Sequence, residues 1–154
     1  MTKKNSSRFG KAAFSSKAGY TERKESNRTE KKVQGEKPLL HFNFKDFNQI
    51  QCPPGQKFAD WEKEGLLSDF FQKLVDLSQK DRLTASREKC ITVYHSFPPN
   101  SDFKIPKYIE GDVDWAVIDN VGGQKHRVAG YIVENVFYIV FLDKDHKFWK
   151  MQNK

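Results

Sequence analysis

Between His126 and Asp143 the chain runs HRVAGYIV, then Glu134-Asn135, then VFYIVFLD. Two apolar, β-branched and aromatic runs separated by two turn-forming residues predict a β-hairpin with strands at 126–133 and 136–143. The second run is apolar at both alternating sets of positions. A strand with one wet face would alternate, so 136–143 is expected to be central and covered on both sides. Upstream, WAVIDNV (115–121) reads as a further strand, and Gly122-Gly123 is a turn signal leading into the hairpin. Downstream, Lys144-Asp145 reads as a turn and HKFWK (146–150) as a short final or edge strand. The C-terminal third is therefore an antiparallel meander.

The segment before it supplies different periods. Leu39–Phe47 places Leu40, Phe42 and Phe44 on one face and His41, Asn43 and Lys45 on the other, which argues a strand with one buried side. Cys52-Pro53-Pro54-Gly55 ends it, because prolines cannot donate to a ladder. Asp60 is placed to cap a helix, with Glu62 and Glu64 near its positive end. Trp61, Leu67, Phe70, Phe71, Leu74 and Leu77 then follow at helical spacing, and Gly65 divides the stretch into a short and a longer helix. Residues 91–97 are compatible with a strand or a helix end. Residues 98–112 are proline-punctuated and read as a long surface loop. The order strand, one or two helices, irregular region, meander predicts an α+β fold with helices on one face of the sheet.

Composition matters mainly through its distribution. The chain is 37% hydrophobic and 31% charged, with a formal net charge of +7. Residues 1–36 hold ten Lys/Arg and four Glu, a net of +6, and their few apolar residues follow no period. Such a segment is expected to be a disordered basic tail, a solubilising leader or an arm that holds phosphates, with the folded domain at 37–154. No apolar run is long enough for a membrane span, and no apolar stretch follows the N-terminal lysines as in a secretory signal. Cys52 and Cys90 make neither a disulfide framework nor a zinc ribbon. A reducing cytoplasm is the expected location, with no membrane partner.

The chain lacks the glycine-rich cradles of dinucleotide and triphosphate sites and the GxSxG nucleophile turn. Its four histidines, 41, 95, 126 and 146, have no metal-ligand spacing, and no cofactor is expected. What remains is a polar set at one end of the meander. Lys125, His126 and Arg127 open the second strand, with Tyr131 further along it. Asp143, Asp145, His146 and Lys147 follow the third, and Trp149 and Lys150 come next. In an antiparallel meander the start of one strand adjoins the end of the next, so these groups are expected to converge. Two histidines suit proton transfer near neutral pH, and arginine or lysine suits the charge of a phosphorane-like transition state. Aromatic rings suit a splayed nucleobase. The plain alternative is a solvated strand end, with Tyr131 in the core.

The segment HRVAGYIVENVFYIVFLDKDHKFW resembles the C-terminal half of the RelE/ParE superfamily of bacterial toxins. His126-Arg127-Val128 matches the start of a His-Arg-Leu-x-Tyr-x-Val strand, with Tyr131 one position late. Val136–Leu142 matches the apolar strand, and His146 with Phe148-Trp149 the terminal His-aromatic element. The resemblance implies a toxin-type endoribonuclease that cleaves mRNA, commonly on the ribosome, and that a cognate antitoxin holds inactive. It assigns Arg127 to the scissile phosphate and His146 to acid or base catalysis. The catalytic set expected on both grounds is His126, Arg127, His146 and Lys147. The RNA-binding set is Lys125, Tyr131, Trp149 and Lys150. The terminal tyrosine hydroxyl of the family is absent, and the basic leader and the 98–112 loop are additions to its pattern. The alternative function is a non-catalytic interaction protein on the same scaffold, such as a gyrase-directed inhibitor or a phage or mobile-element accessory factor.

Overall fold

A computed structural model of the chain describes residues 37–151. The basic segment 1–36 lies outside the described residues. Among the described residues five strands and three helices follow one another as β1 (His41–Asn43), α1 (Phe58–Lys63), α2 (Leu66–Leu77), α3 (Arg82–Arg87), β2 (Ile91–His95), β3 (Asp114–Ile118), β4 (Arg127–Val133) and β5 (Val136–Asp143). The strands form one sheet in the order β1-β5-β4-β3-β2. The fold is α+β, as expected, and β2 to β5 form an antiparallel meander.

The hairpin turns at Glu134-Asn135, with Val133 opposite Val136. Glu134 takes the left-handed conformation (φ 55°) that such tight turns require. A bulge lies between Ala129 and Gly130: Ala129 faces Phe141 and Gly130 faces Ile139, which leaves Val140 as the extra residue. Both faces of β5 are covered, which explains its unbroken apolar run, and the bulge shifts the alternation by one residue. Phe137, Ile139 and Leu142 enter the cluster under the helices, whereas Val140 and Phe141 both enter the cluster on the opposite face. Gly130 is obligatory here, because a β-carbon at that position would lie 1.9 Å from the Tyr138 carbonyl oxygen.

Several expectations are corrected. The first strand contracts from 39–47 to three residues and pairs in parallel with β5, so the sheet is mixed. Phe44 and Phe47 leave the ladder to pack against Phe58. The cap of α1 is Lys57, and Asp60 sits inside the first turn, accepting a hydrogen bond from the Lys57 backbone N–H at 3.0 Å. Gly65 does separate two helices, in a left-handed conformation (φ 73°). Trp61, Phe70, Leu74 and Leu77 are buried as the stripe predicts, but Phe71 turns outward, half exposed. A third helix, α3, is capped by Asp81, whose carboxylate accepts the Thr84 N–H at 2.8 Å.

Among the described residues no helix covers the second face of the sheet. The irregular 98–112 segment covers it instead, burying Phe103 and Ile109 beside Trp115, Phe141 and Phe148. Residues 146–150 form no strand. Asp143 organises them as a turn: its carboxylate is fully buried and accepts the backbone N–H groups of Lys147 (2.8 Å) and Phe148 (2.9 Å). Those two bonds curl the chain back, so that Phe148 drops into the core against Phe97 and Phe103. Burying a side chain of this size contributes about 1.5–3 kcal/mol. None of the described helices is long and apolar enough to cross a membrane.

Candidate functional site

The end of the sheet where β4 begins and β5 ends gathers polar groups from four strands. Arg127, the first residue of β4, stands opposite Asp143, the last of β5. Asp119 follows β3 directly, and its N–H bonds the Cys90 carbonyl at the start of β2 (2.9 Å). Side chains alternate across a strand. Ala129 and Tyr131 belong to the second cluster, and so Arg127 projects from that same face. Tyr94 projects there too, while Val93 packs under the helices.

Arg127 Nε lies 3.2 Å from Asp119 Oδ1, with both side chains largely buried. This is ion-pair range, but the N–H does not point along a hydrogen bond, and Arg127 Nε has no hydrogen-bond acceptor. The other Asp119 oxygen accepts the Thr92 hydroxyl at 2.7 Å. Tyr94 is within side-chain hydrogen-bonding reach of Arg127. Burial pushes its phenol up, Arg127 opposes this, and Asp119 reinforces it. The Tyr94 ring stacks on Trp149 at 4.0 Å between centroids and 6° between planes.

A cleft of about 600 Å³ opens here, bounded by Ser86 at the end of α3 and Lys89 after it, by Thr92 and Tyr94 on β2, and by Asp119, Asn120 and Arg127. A volume of this size is in the range of small-ligand sites. Lys89 and Asn120 both carry positive φ (57° and 56°), so two exposed side chains at the rim sit on sharply turned backbone. On the far side of the stack a second pocket of about 200 Å³ is lined by Pro98, Pro99, Asn100, Trp149 and Lys150.

Asp143 links the cleft to the 144–149 turn. Burial raises its carboxyl above the usual range. The N–H groups of Lys147 and Phe148 oppose that rise, and the charges of His146 and Arg127 oppose it further. His146 is half-buried on a left-handed residue (φ 61°), and Lys147 is exposed.

The structure thus brings Arg127 and His146 close to Asp143, to which Lys147 gives only its backbone N–H, and joins Trp149 to Arg127 through Tyr94. It separates others. His126 packs on Gly123, where a β-carbon would lie 3.3 Å from its Nδ1, and that nitrogen is buried without a hydrogen bond. Lys125 is exposed in the loop before β4. Lys150 pairs with Asp102 at 2.5 Å. Tyr131 is buried away from the cleft: it stacks on Tyr138, and its hydroxyl donates to the Asp46 carboxylate. Burial first, then Asp46, pushes its phenol well above the ordinary value. Its surroundings are those of a core tyrosine.

Sequence reasoning missed Tyr94, Asp119, Thr92 and Lys89. Tyr94 lay in the segment that was ambiguous between strand and helix, and its stacking partner is remote in the chain. Asp119 carried a faint signal, as the first polar residue after an apolar strand. Among the described residues no group of three His, Cys, Asp or Glu side chains is placed to hold a metal ion. No protein-family model, curated protein or solved structure matches the chain.

Proposed function

We propose that the chain is a metal-independent endoribonuclease of the RelE/ParE toxin type, cutting mRNA and neutralised by a cognate antitoxin. The observation that carries this reading is Arg127: a guanidinium lining an open cleft, beside a stacked aromatic pair, and oriented there by its ion pair with Asp119. Arginine is the side chain suited to phosphate by its fixed fork of donors. Asp119 holds the guanidinium in place through its ion pair. In the proposed reaction a 2′-hydroxyl attacks its adjacent phosphorus, and the 5′-oxygen leaves. His146 transfers the proton, and Arg127 with Lys147 carries the charge that develops on the phosphoryl oxygens. His126 would take part only if its ring turned off Gly123, so His146 is the stronger assignment.

The test is induction of the wild-type gene and of Arg127→Ala and His146→Ala in a bacterial host, with growth and mapped mRNA 5′ ends followed together. Growth arrest with new mRNA ends, both lost in the variants, is the expected result. Arrest without RNA cleavage would move the reading to a binding toxin such as a gyrase-directed inhibitor. Cleavage that persists in both variants would remove this site.

A further inference from the structure

The stacked pair Tyr94–Trp149 is a wall between two pockets. The larger cleft is lined by Tyr94 and not by Trp149, and the smaller pocket by Trp149 and not by Tyr94. With the two rings parallel at 4.0 Å, one face of each is used by the other, which leaves the outer face of Trp149 to the small pocket. The opposite wall is Pro98-Pro99-Asn100, the start of the loop that covers the second face of the sheet.

Both walls are held before anything binds. Phe97 and Phe103 pack on the buried Phe148, next to Trp149. The Asp102 N–H donates to the Lys147 carbonyl at 3.1 Å, the Phe103 N–H to Ser101 Oγ at 3.1 Å, and Lys150 Nζ to Asp102. The gap between tryptophan and prolines is therefore built, and little ordering is left for a ligand to supply. Its volume of about 200 Å³ is below that of drug-sized sites, which suits one planar fragment. A flat ring against tryptophan, with an ammonium group at the margin, matches a nucleobase and the phosphate next to it.

We propose that this pocket is a second nucleotide subsite: one base of single-stranded RNA stacks on the outer face of Trp149 against Pro98 and Pro99, and Lys150, which gives one of its three ammonium donors to Asp102, meets the adjoining phosphate with another. The inference rests on the ribonuclease reading and deepens it. RNA crosses the Tyr94–Trp149 wall, with its reactive phosphate at Arg127 on one side and an anchoring base on the other. The anchor comes from the 98–100 loop and the turn that Asp143 organises, and selects for unpaired strand, since a base in a duplex has no free face to offer.

The test uses the full chain and a short 2′-O-methylated single-stranded RNA, which lacks the attacking hydroxyl. In binding measured by anisotropy, Trp149→Leu is expected to weaken affinity about 5- to 150-fold, the range for loss of one stacked base. Lys150→Glu should weaken it and flatten its salt dependence by about one phosphate contact. An abasic residue at the anchoring position should reproduce the Trp149→Leu loss, with no further loss when the two are combined. A measurement on the unaltered protein guards against a misfolded variant: 2-aminopurine scanned along the RNA should be quenched on binding at one position. Quenching at no position, or Trp149→Leu binding as tightly as wild type while Arg127→Ala binds weakly, would overturn the subsite and leave the ribonuclease reading standing. A wild-type protein that neither binds nor cleaves RNA would overturn both.

Discussion

Arg127 Nε and Asp119 Oδ1 face one another at 3.2 Å inside the cleft, and neither side chain is more than one-fifth exposed. The pair is asymmetric. Asp119 has a second partner in Thr92, whereas Arg127 Nε has no aligned acceptor. Asp119 thus orients the guanidinium without fully occupying it, which leaves donors for an incoming anion.

Removing either partner leaves the other buried and uncompensated. Arg127→Ala should lower unfolding free energy by about 1–3 kcal/mol in urea titrations. Adding Asp119→Asn to it should restore much of that stability while RNA cleavage stays lost. If the double variant recovered cleavage, Arg127 would have no role on the phosphate.

Asp143 makes stability depend on pH in a definite direction. Its folded carboxyl titrates above the ordinary 3.8 because burial penalises the charge. The folded state therefore holds the proton over a window where the unfolded chain has released it. Stability from this group is present below that window and declines as pH rises from about 4 through the folded value. In Asp143→Asn this slope should vanish. The asparagine keeps one acceptor for two N–H groups, so stability at neutral pH should also change, by about 1–3 kcal/mol in the destabilising direction. Unfolding measured between pH 4 and 7 on both proteins decides it, and an unchanged slope would refute the assignment.

Gly130→Ala should disrupt the β4–β5 pairing. The added carbon would sit 1.9 Å from the Tyr138 carbonyl oxygen and 3.0 Å from the Phe137 ring, neither of which can withdraw without opening the bulge. Overpacking of this kind costs about 1–3 kcal/mol or more. A melting temperature equal to wild type would show that the bulge is not where the register places it.

Gln56 ties the helices to the site. Its side-chain oxygen accepts the Trp61 indole N–H at 3.1 Å and the Lys144 N–H at 2.8 Å, and its backbone bridges Leu142. Gln56→Leu keeps the volume and removes the acceptor, leaving two donors unpaired. The expected loss is about 2–6 kcal/mol, from about 1–3 for each unsatisfied buried group. Cleavage should fall with it, because Lys144 begins the turn that carries His146. Full stability in Gln56→Leu would mean that other groups satisfy both donors.

The C-terminal hairpin, the central position of β5, the helical stripe of α2 and the break at Gly65 were legible because each is local. Alternation, a two-residue turn and a 3.6-residue period are set by neighbours in the chain. The convergence of Arg127 with the turn after β5 was legible for the same reason, since hairpin register places Arg127 opposite Asp143. Tertiary packing decided the rest. His41–Asn43 pairs in parallel with β5, which joins nearly the two ends of the domain. Residues 146–150 had strand-like composition, but two hydrogen bonds to the buried Asp143 outweighed it and made a turn. Tyr94 and Trp149 stack only because β2 forms the sheet edge and that turn folds back towards it. Tyr131 had the composition of an RNA-stacking residue, yet Tyr138 and Asp46 enclose it. Periodicity tells which face of an element is apolar. Only the competition among distant surfaces for burial decides which partner covers it, and so which polar groups stay open to a ligand.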